Sequence, residues 1–166
     1  MILPNPVVIV EYDPDWPVQF EQVRSSISSA LGDVAKTIEH VGSTSVPGLA
    51  AKPILDIDVV VRTADDVPNA IELLASIGYT HRGDLGIPGR AAFDAPDTAY
   101  QQHLYLLVSE SKPLQEHIKL RNRLREDRDL VRQYAKLKFR LAAEHGSNRE
   151  AYTDAKTGFI ARALAE

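Results

Sequence analysis

Asp56 and Asp58 stand two residues apart in Pro53-Ile54-Leu55-Asp56-Ile57-Asp58-Val59-Val60-Val61, a β-branched and aliphatic run opened by a proline, which reads as a strand. Successive strand side chains point to opposite faces, so Leu55, Ile57, Val59 and Val61 share one face and Asp56, Asp58 and Val60 the other. At a rise of about 3.3 Å per residue the two aspartate Cα atoms lie about 6.5 to 7 Å apart, and their flexible ends can converge on hard cations such as Mg2+ or Mn2+. Without a cation the pair needs water or basic side chains, because like charges on a largely apolar strand are costly. A solvated strand end is the alternative reading of the same two residues.

Two further stretches stand where they would complete such a site. Lys36 to Val41 reads as a strand running into Gly42-Ser43-Thr44-Ser45-Val46-Pro47-Gly48-Leu49-Ala50-Ala51-Lys52. Small, hydroxyl-bearing and glycine residues there let backbone N–H groups approach an anion closely, which makes Gly42, Ser43, Thr44 and Ser45 candidates for binding phosphate, with Lys52 behind them. The G-x-x-x-x-G-K-[ST] spacing of a P-loop is absent, and a Gly-Ser turn alone is more often only a turn. His103 lies on the strand Gln102 to Val108, sharing a face with Tyr105 and Leu107. Beside a paired-aspartate strand it is a candidate to orient an acceptor or serve as a base, and a satisfied structural histidine otherwise.

These segments need a scaffold, and the chain predicts one compact α/β domain over residues 1–166. Val7 to Tyr12 reads as an extended arm or edge strand, and Asp13-Pro14-Asp15-Trp16-Pro17 opens a helix striped by Phe20, Val23, Ile27, Ala30 and Leu31. Trp16 is expected to cover the core where that helix begins. Thr63 and Asp66 form a capping box before the stripe Val67, Ile71, Leu74 and Ala75, which Gly78 ends. A short strand at Tyr79 to Arg82 and a glycine-rich candidate lid at 83–89 precede an antiparallel pair, Arg90 to Asp94 with Gln102 to Val108. Three helices follow: one capped by Ser111, one ending at Gly146, and one opened by a Ser147/Glu150 capping box.

Composition narrows the function classes. There is no cysteine, which removes disulfides and thiolate metal sites. No apolar run is long enough to span a bilayer, and the amino end lacks the pattern of a secretory signal, so a cytoplasmic protein without a membrane partner, monomer or homodimer, is expected. Residues 1–110 hold 6 Lys/Arg against 15 Asp/Glu, net −9, whereas 111–166 hold 13 against 8, net +5. A basic carboxyl-terminal third can face an anion whose metal the acidic part holds; solvated helix faces explain the same numbers. The overall charge of −4 argues against duplex nucleic acid as a partner.

The run from Ile38 to Ile57, containing Glu39-His40-Val41-Gly42-Ser43-Thr44-Ser45-Val46-Pro47-Gly48 and Lys52-Pro53-Ile54-Leu55-Asp56, resembles the signature of the GrpB family. The resemblance extends to Tyr12-Asp13-Pro14-Asp15-Trp16, Leu74 to Tyr79, Gln102-His103-Leu104, Arg121 to Leu124, and Tyr134, Lys138, Tyr152 and Lys156. It implies the nucleotidyltransferase-like superfamily: a mixed, mostly antiparallel sheet flanked by helices, with a carboxyl-terminal helical layer. The superfamily's hydrophobic-Gly-[Gly/Ser] turn and [Asp/Glu]-hydrophobic-[Asp/Glu] strand are matched by Val41-Gly42-Ser43 and Asp56-Ile57-Asp58. A third carboxylate, usual on a later strand, is absent: His103 and Tyr105 stand there, with Asp94 on the neighbouring strand a substitute. The resemblance also implies a helper role of the kind played by similar domains fused to dephospho-CoA kinases.

Together these readings predict a Mg2+-dependent transfer of a nucleoside monophosphate from an NTP to a small hydroxyl-bearing acceptor. Asp56 and Asp58 hold the metal, Gly42 to Ser45 cradle phosphates, Lys52, Arg121, Arg125 or Lys138 neutralise pyrophosphate, and His103 attends the acceptor. A non-catalytic nucleotide-binding or partner-stabilising domain is the second expectation.

Overall fold

The computed structural model describes residues 6–97 and 99–166. Its strands are β1 (Thr37–Val41), β2 (Leu55–Val61), β3 (Thr80–His81), β4 (Arg90–Asp94) and β5 (Gln102–Val108). Its helices are α1 (Trp16–Leu31), α2 (Val67–Ser76), α3 (Lys112–Glu126), α4 (Arg128–His145) and α5 (Arg149–Ala165). The sheet order is β1-β2-β5-β4-β3, with only β2 and β5 parallel, so the mixed, mostly antiparallel sheet expected from the sequence is present.

The two faces of β2 separate as the alternation requires. Leu55, Ile57, Val59 and Val61 are at most 1% exposed and meet Leu104 and Leu106 of β5, Phe20, Val23 and Ile27 of α1, and Ala70 and Leu74 of α2. Burying each such aliphatic side chain contributes about 1.5–3 kcal/mol, so this layer is the main store of stability. Trp16 is buried at the start of α1 and packs edge-on against Tyr12 at 5.5 Å, the packing role expected of it. On the other face Val60, Leu107 and Leu114 form a small cluster under α3, while Val46, Leu49, Leu124, Tyr134 and Phe159 join the Gly42 turn to the last three helices.

Several local expectations change. The segment from Val7 to Tyr12 takes the first of its two readings, an extended arm and not an edge strand: it makes one antiparallel bridge, Val10 to Ala51, and docks Val7 N–H on the Gly146 carbonyl at 2.7 Å. Ser111 occupies the cap position of α3, yet its buried hydroxyl makes no hydrogen bond. Asn148, not Ser147, caps α5, accepting from Ala151 N–H at 3.0 Å; the longer amide side chain one residue later reaches the same open turn. The Thr63/Asp66 capping box is formed, but on a 3-10 turn (Ala64–Asp66) that leads into α2. No helix among the described residues is long and apolar enough to cross a membrane.

Candidate functional site

The register of the sheet builds the site. Antiparallel pairing sets Glu39 of β1 opposite Asp58, and parallel pairing sets His103 beside Asp56 and Tyr105 beside Asp58. Glu39, Asp56, Asp58, His103 and Tyr105 therefore share the face away from α1 and α2, and Arg90, two residues from Tyr105's partner Ala92, joins them. His103 Nδ1 lies 3.1 Å from Asp56 Oδ1, which puts the two on one side of the sheet, as the alternation predicts.

The two aspartates, equivalent in sequence, are unlike in space. Asp56 is half-buried and lines a cleft of about 410 Å³ with Gly42, Ser43, Arg90, Arg121 and Lys156. Asp58 is 0% exposed and lies under His117 of α3, whose Nδ1 is 2.6 Å from Asp58 Oδ2. Burial raises the Asp58 carboxyl above its ordinary value, the His117 bond and charge pulling the other way. For His117, burial opposes the charged imidazole, but the hydrogen bond and charge of Asp58, backed by Asp56, outweigh it and hold the ring above its ordinary value. Both directions favour proton retention by the Asp58–His117 pair. Asp58 Oδ1 is buried with no hydrogen-bond partner among the described residues, an orphaned carboxyl oxygen.

The Gly42-Ser43 turn closes over Asp56. Gly42 has φ +71°, and a Cβ there would sit 2.1 Å from Asp56 Oδ2, so only glycine permits this approach. Ser43 lines the cleft and accepts a hydrogen bond from Lys138 Nζ. Thr44 and Ser45 do not line it: Thr44 Oγ1 is 2.9 Å from His40 Nε2, and Ser45 Oγ donates to the Gly42 carbonyl, so both brace the turn from behind. His40, stacked on Phe20 at 4.6 Å and pushed down to about 4 by burial, is a neutral wedge beneath it.

The basic residues divide. Arg121 lines the cleft, held by Glu39 Oε2 at 2.8 Å and the His40 carbonyl at 3.1 Å. Lys138 is buried, donates to Ser43 Oγ and to the Ala50 carbonyl at 3.3 Å, and burial, then Lys156, drives its ammonium well below the ordinary value. Arg125 does not face the cleft; it donates to the Ser45 carbonyl at 3.0 Å and borders a separate depression beside Pro47 and Gly48. Lys52 also lies elsewhere, in a second cavity with His103. Arg121 and Arg125 lie on the same side of α3, about 6 Å apart along its axis, and that displacement lets the first reach β1 while the second reaches the turn after it.

Sequence reasoning left out His117, Arg90 and Lys156 as site residues. Lys156 Nζ sits 4.7 Å over the Tyr152 ring, and burial followed by the charge of Lys52 lowers it to about 8. Arg90 stacks on Tyr105 at 4.3 Å. Lys156 was legible only as part of the family pattern, and His117 sat on a charged helix stripe with nothing to mark it.

The donor set fits a hard divalent cation in part. Asp56 and Asp58 offer carboxylate oxygens from one face and Asp58 Oδ1 lacks any partner, whereas no group of three or more His, Cys, Asp or Glu side chains among the described residues is arranged around one point. Two carboxylates suffice for Mg2+, which keeps waters and takes phosphate oxygens as its remaining ligands.

Comparison with known proteins places this geometry. The model of the GrpB protein family matches residues 6–166. The UPF0157 protein BH1888 of Halalkalibacterium halodurans is 35% identical over 157 residues, covering 93% of this chain and 78% of that protein. The UPF0157 protein YqkA of Bacillus subtilis is 31% identical over 154 residues, 93% of this chain but 45% of its own length, so the chain spans under half of that relative. A dephospho-CoA kinase of Mycolicibacterium paratuberculosis matches at 36% over 77 residues, 45% of this chain and 19% of that enzyme. Among solved structures, the conserved protein GrpB from Enterococcus faecalis superposes with a TM-score of 0.85 at 31% identity, covering 95% of both chains. The Cid1 poly(U) polymerase bound to MgGTP superposes with a TM-score of 0.59 at 13% identity, over 82% of this chain and 45% of that one, a likeness of nucleotidyltransferase-like fold. A match that runs from Pro6 to the last residue and includes both the Gly42-Ser43 turn and the paired aspartates makes this chain a member of the GrpB family.

Proposed function

We propose that the cleft binds an NTP with Mg2+ and transfers its nucleoside monophosphate to a small hydroxyl-bearing acceptor. The observation that carries this reading is the orphaned, fully buried oxygen of Asp58 beside Asp56, on a sheet face whose cleft also holds Lys156, Arg90 and Arg121. Mg2+ would be held by Asp56 and Asp58 and, when bound, neutralises phosphate charge. The Gly42-Ser43 turn offers backbone N–H and a hydroxyl to phosphate oxygens, Lys138 positions that hydroxyl from behind, and Lys156 brings a cationic group to the cleft. In the transfer the acceptor oxygen bonds to the α-phosphorus, the bond from that phosphorus to the bridging oxygen breaks, and pyrophosphate leaves with that oxygen. The hydroxyl proton passes to His103, which Asp56 orients through Nδ1.

A second reading is favoured by Tyr105, which holds the register position beside Asp58 on β5, and by the His117 cover over Asp58. A domain with this arrangement would bind a nucleotide and stabilise a partner without turnover, in keeping with the partial match to dephospho-CoA kinase. Calorimetric titration of the four NTPs with and without Mg2+ tests binding; Mg2+-dependent binding of at least one is expected, and none would end both readings. Pyrophosphate release over a panel of hydroxyl acceptors then separates them, transfer predicting release and the second reading predicting none.

A further inference from the structure

His103 faces two spaces. Its Nδ1 meets Asp56 at the cleft, while the residue itself borders a second, open cavity of about 600 Å³ on the other side, together with Lys52, Arg149, Asp97 and Gln101. The side chain of His103 is 45% exposed, and that of Asp56 only 32%, so the bridge between them is reachable from this cavity.

The cavity's charges are unevenly satisfied. Asp94, on its rim, already faces Arg82 at 3.5 Å. Lys52 and Arg149 make no ion pair among the described residues; Lys52 Nζ instead rests 5.3 Å over the Tyr152 ring, and Arg149 belongs to the first turn of α5, three residues before Tyr152. Both line this cavity, and burial, then the nearby charge of Arg149, lowers the Lys52 ammonium while Asp56 acts the other way. The bridge from Val10 to Ala51 fixes the chain next to Lys52, and the docking of Val7 on Gly146 fixes the loop ahead of Arg149. The main chain that carries the two cations is therefore fixed on both sides of the cavity. An anionic group between them gains two charge-assisted hydrogen bonds, bidentate at the arginine.

We propose that this second cavity is the acceptor site and that its acceptor is a small hydroxyl compound carrying a phosphate or carboxylate, the anion held by Lys52 and Arg149 and a hydroxyl directed at His103. Asp97 and Gln101 on the same wall supply acceptors and donors for further hydroxyls. The assignment as an acceptor site rests on the nucleotidyl-transfer reading, whereas the anion selectivity of the cavity does not.

The test therefore omits nucleotide and metal. The full chain is titrated with glycerol 3-phosphate, glycerate, glycerol and inorganic phosphate, by calorimetry and by amide chemical-shift mapping. Glycerol 3-phosphate or glycerate should bind, whichever binds naming the anion; inorganic phosphate should bind more weakly and glycerol not measurably. Shifts should centre on residues 99–103 and 149–152 rather than on Gly42 and Ser43. Arg149→Met and Lys52→Met should each weaken binding by at least about tenfold, and Arg149→Lys, on the exposed first turn of α5, should recover part of it. Binding of glycerol as tight as that of its phosphate, inorganic phosphate as tight as either, no binding by any probe, or shifts confined to the Gly42 turn would each overturn the proposal. A failure here leaves the Mg2+–NTP titration standing, and a failed Mg2+–NTP titration leaves an anion site without a transfer to serve.

Discussion

The two faces of β2 divide the labour of the molecule within seven consecutive residues. Toward α1 and α2, Leu55, Ile57, Val59 and Val61 are sealed in a hydrophobic layer. Toward α3, α4 and α5, Asp56 and Asp58 meet Glu39, His103, Tyr105 and His117, and the space above them is lined by cations. The first face is free to maximise stability; the second carries unpaired charge that costs stability and is available to a ligand. Strand alternation is what lets one element do both, because the rigid apolar side fixes where the charged side points.

The sharpest way to break the comparison is Ile57→Ala. It empties a 0%-exposed position at the centre of the hydrophobic layer and should cost about 2–5 kcal/mol in denaturant unfolding, with ligand affinity unchanged in the folded fraction. A comparable loss of affinity in that fraction would mean that the two faces are not separable.

Gly42→Ala is expected to act on both sides of the ledger, since the positive φ and the 2.1 Å approach to Asp56 Oδ2 together forbid a Cβ. The strain should cost about 1–3 kcal/mol and Mg2+-dependent nucleotide binding should disappear. Full binding by the variant would remove the turn from the site.

Asp58→Asn and Asp56→Asn should part company. Their closeness in sequence predicts relief of like-charge repulsion for both, and the tertiary structure corrects this for Asp58, which is buried and paired with His117 at 2.6 Å. Asp58→Asn should cost about 1–3 kcal/mol by weakening a buried charged hydrogen bond, whereas Asp56→Asn should leave apo stability nearly unchanged. Both should lose Mg2+-dependent binding, and thermal melts with and without Mg2+ and NTP read both effects. Equal melting points for the two apo variants would overturn the distinction.

Taken per pH unit, the smallest effects are those of titration. His117, raised above its ordinary 6.5, contributes stability that is complete below that value and lost as pH climbs through its folded value; Asp58, also raised, acts in the same direction. Lys156, lowered from 10.5 to about 8, makes the opposite contribution: protonation costs stability, which recovers as pH rises from about 8 toward 10.5, at most on the order of 1 kcal/mol per pH unit. Unfolding free energies of wild type, His117→Gln and Lys156→Gln across pH 6 to 10 should show each slope vanish with its residue. Persistence of the alkaline rise in Lys156→Gln would shift it to Lys138 or Lys52, which burial also lowers.

What the sequence determined by itself is whatever depends on neighbours along the chain. Period-two alternation in 53–61 and 102–108 set which residues share a face, and proline and glycine punctuation set most of the elements. The turn-then-strand order from Val41 to Asp58 carried the family resemblance and set Gly42 against Asp56. What only the tertiary structure decided is whatever depends on residues far apart in sequence. His117 reaches Asp58 across 59 positions because α3 lies against that sheet face. Arg121 and Arg125, identical in type and one turn apart on the same side of α3, end in different places because about 6 Å of helix axis carries one over β1 and the other over the turn that follows it. Thr44 and Ser45, credited with binding phosphate, turn away because His40 and the Gly42 carbonyl satisfy them first. Burial, which makes Asp58 unlike Asp56 and Lys138 unlike a surface lysine, is a property of the packed whole and has no local signal in the chain.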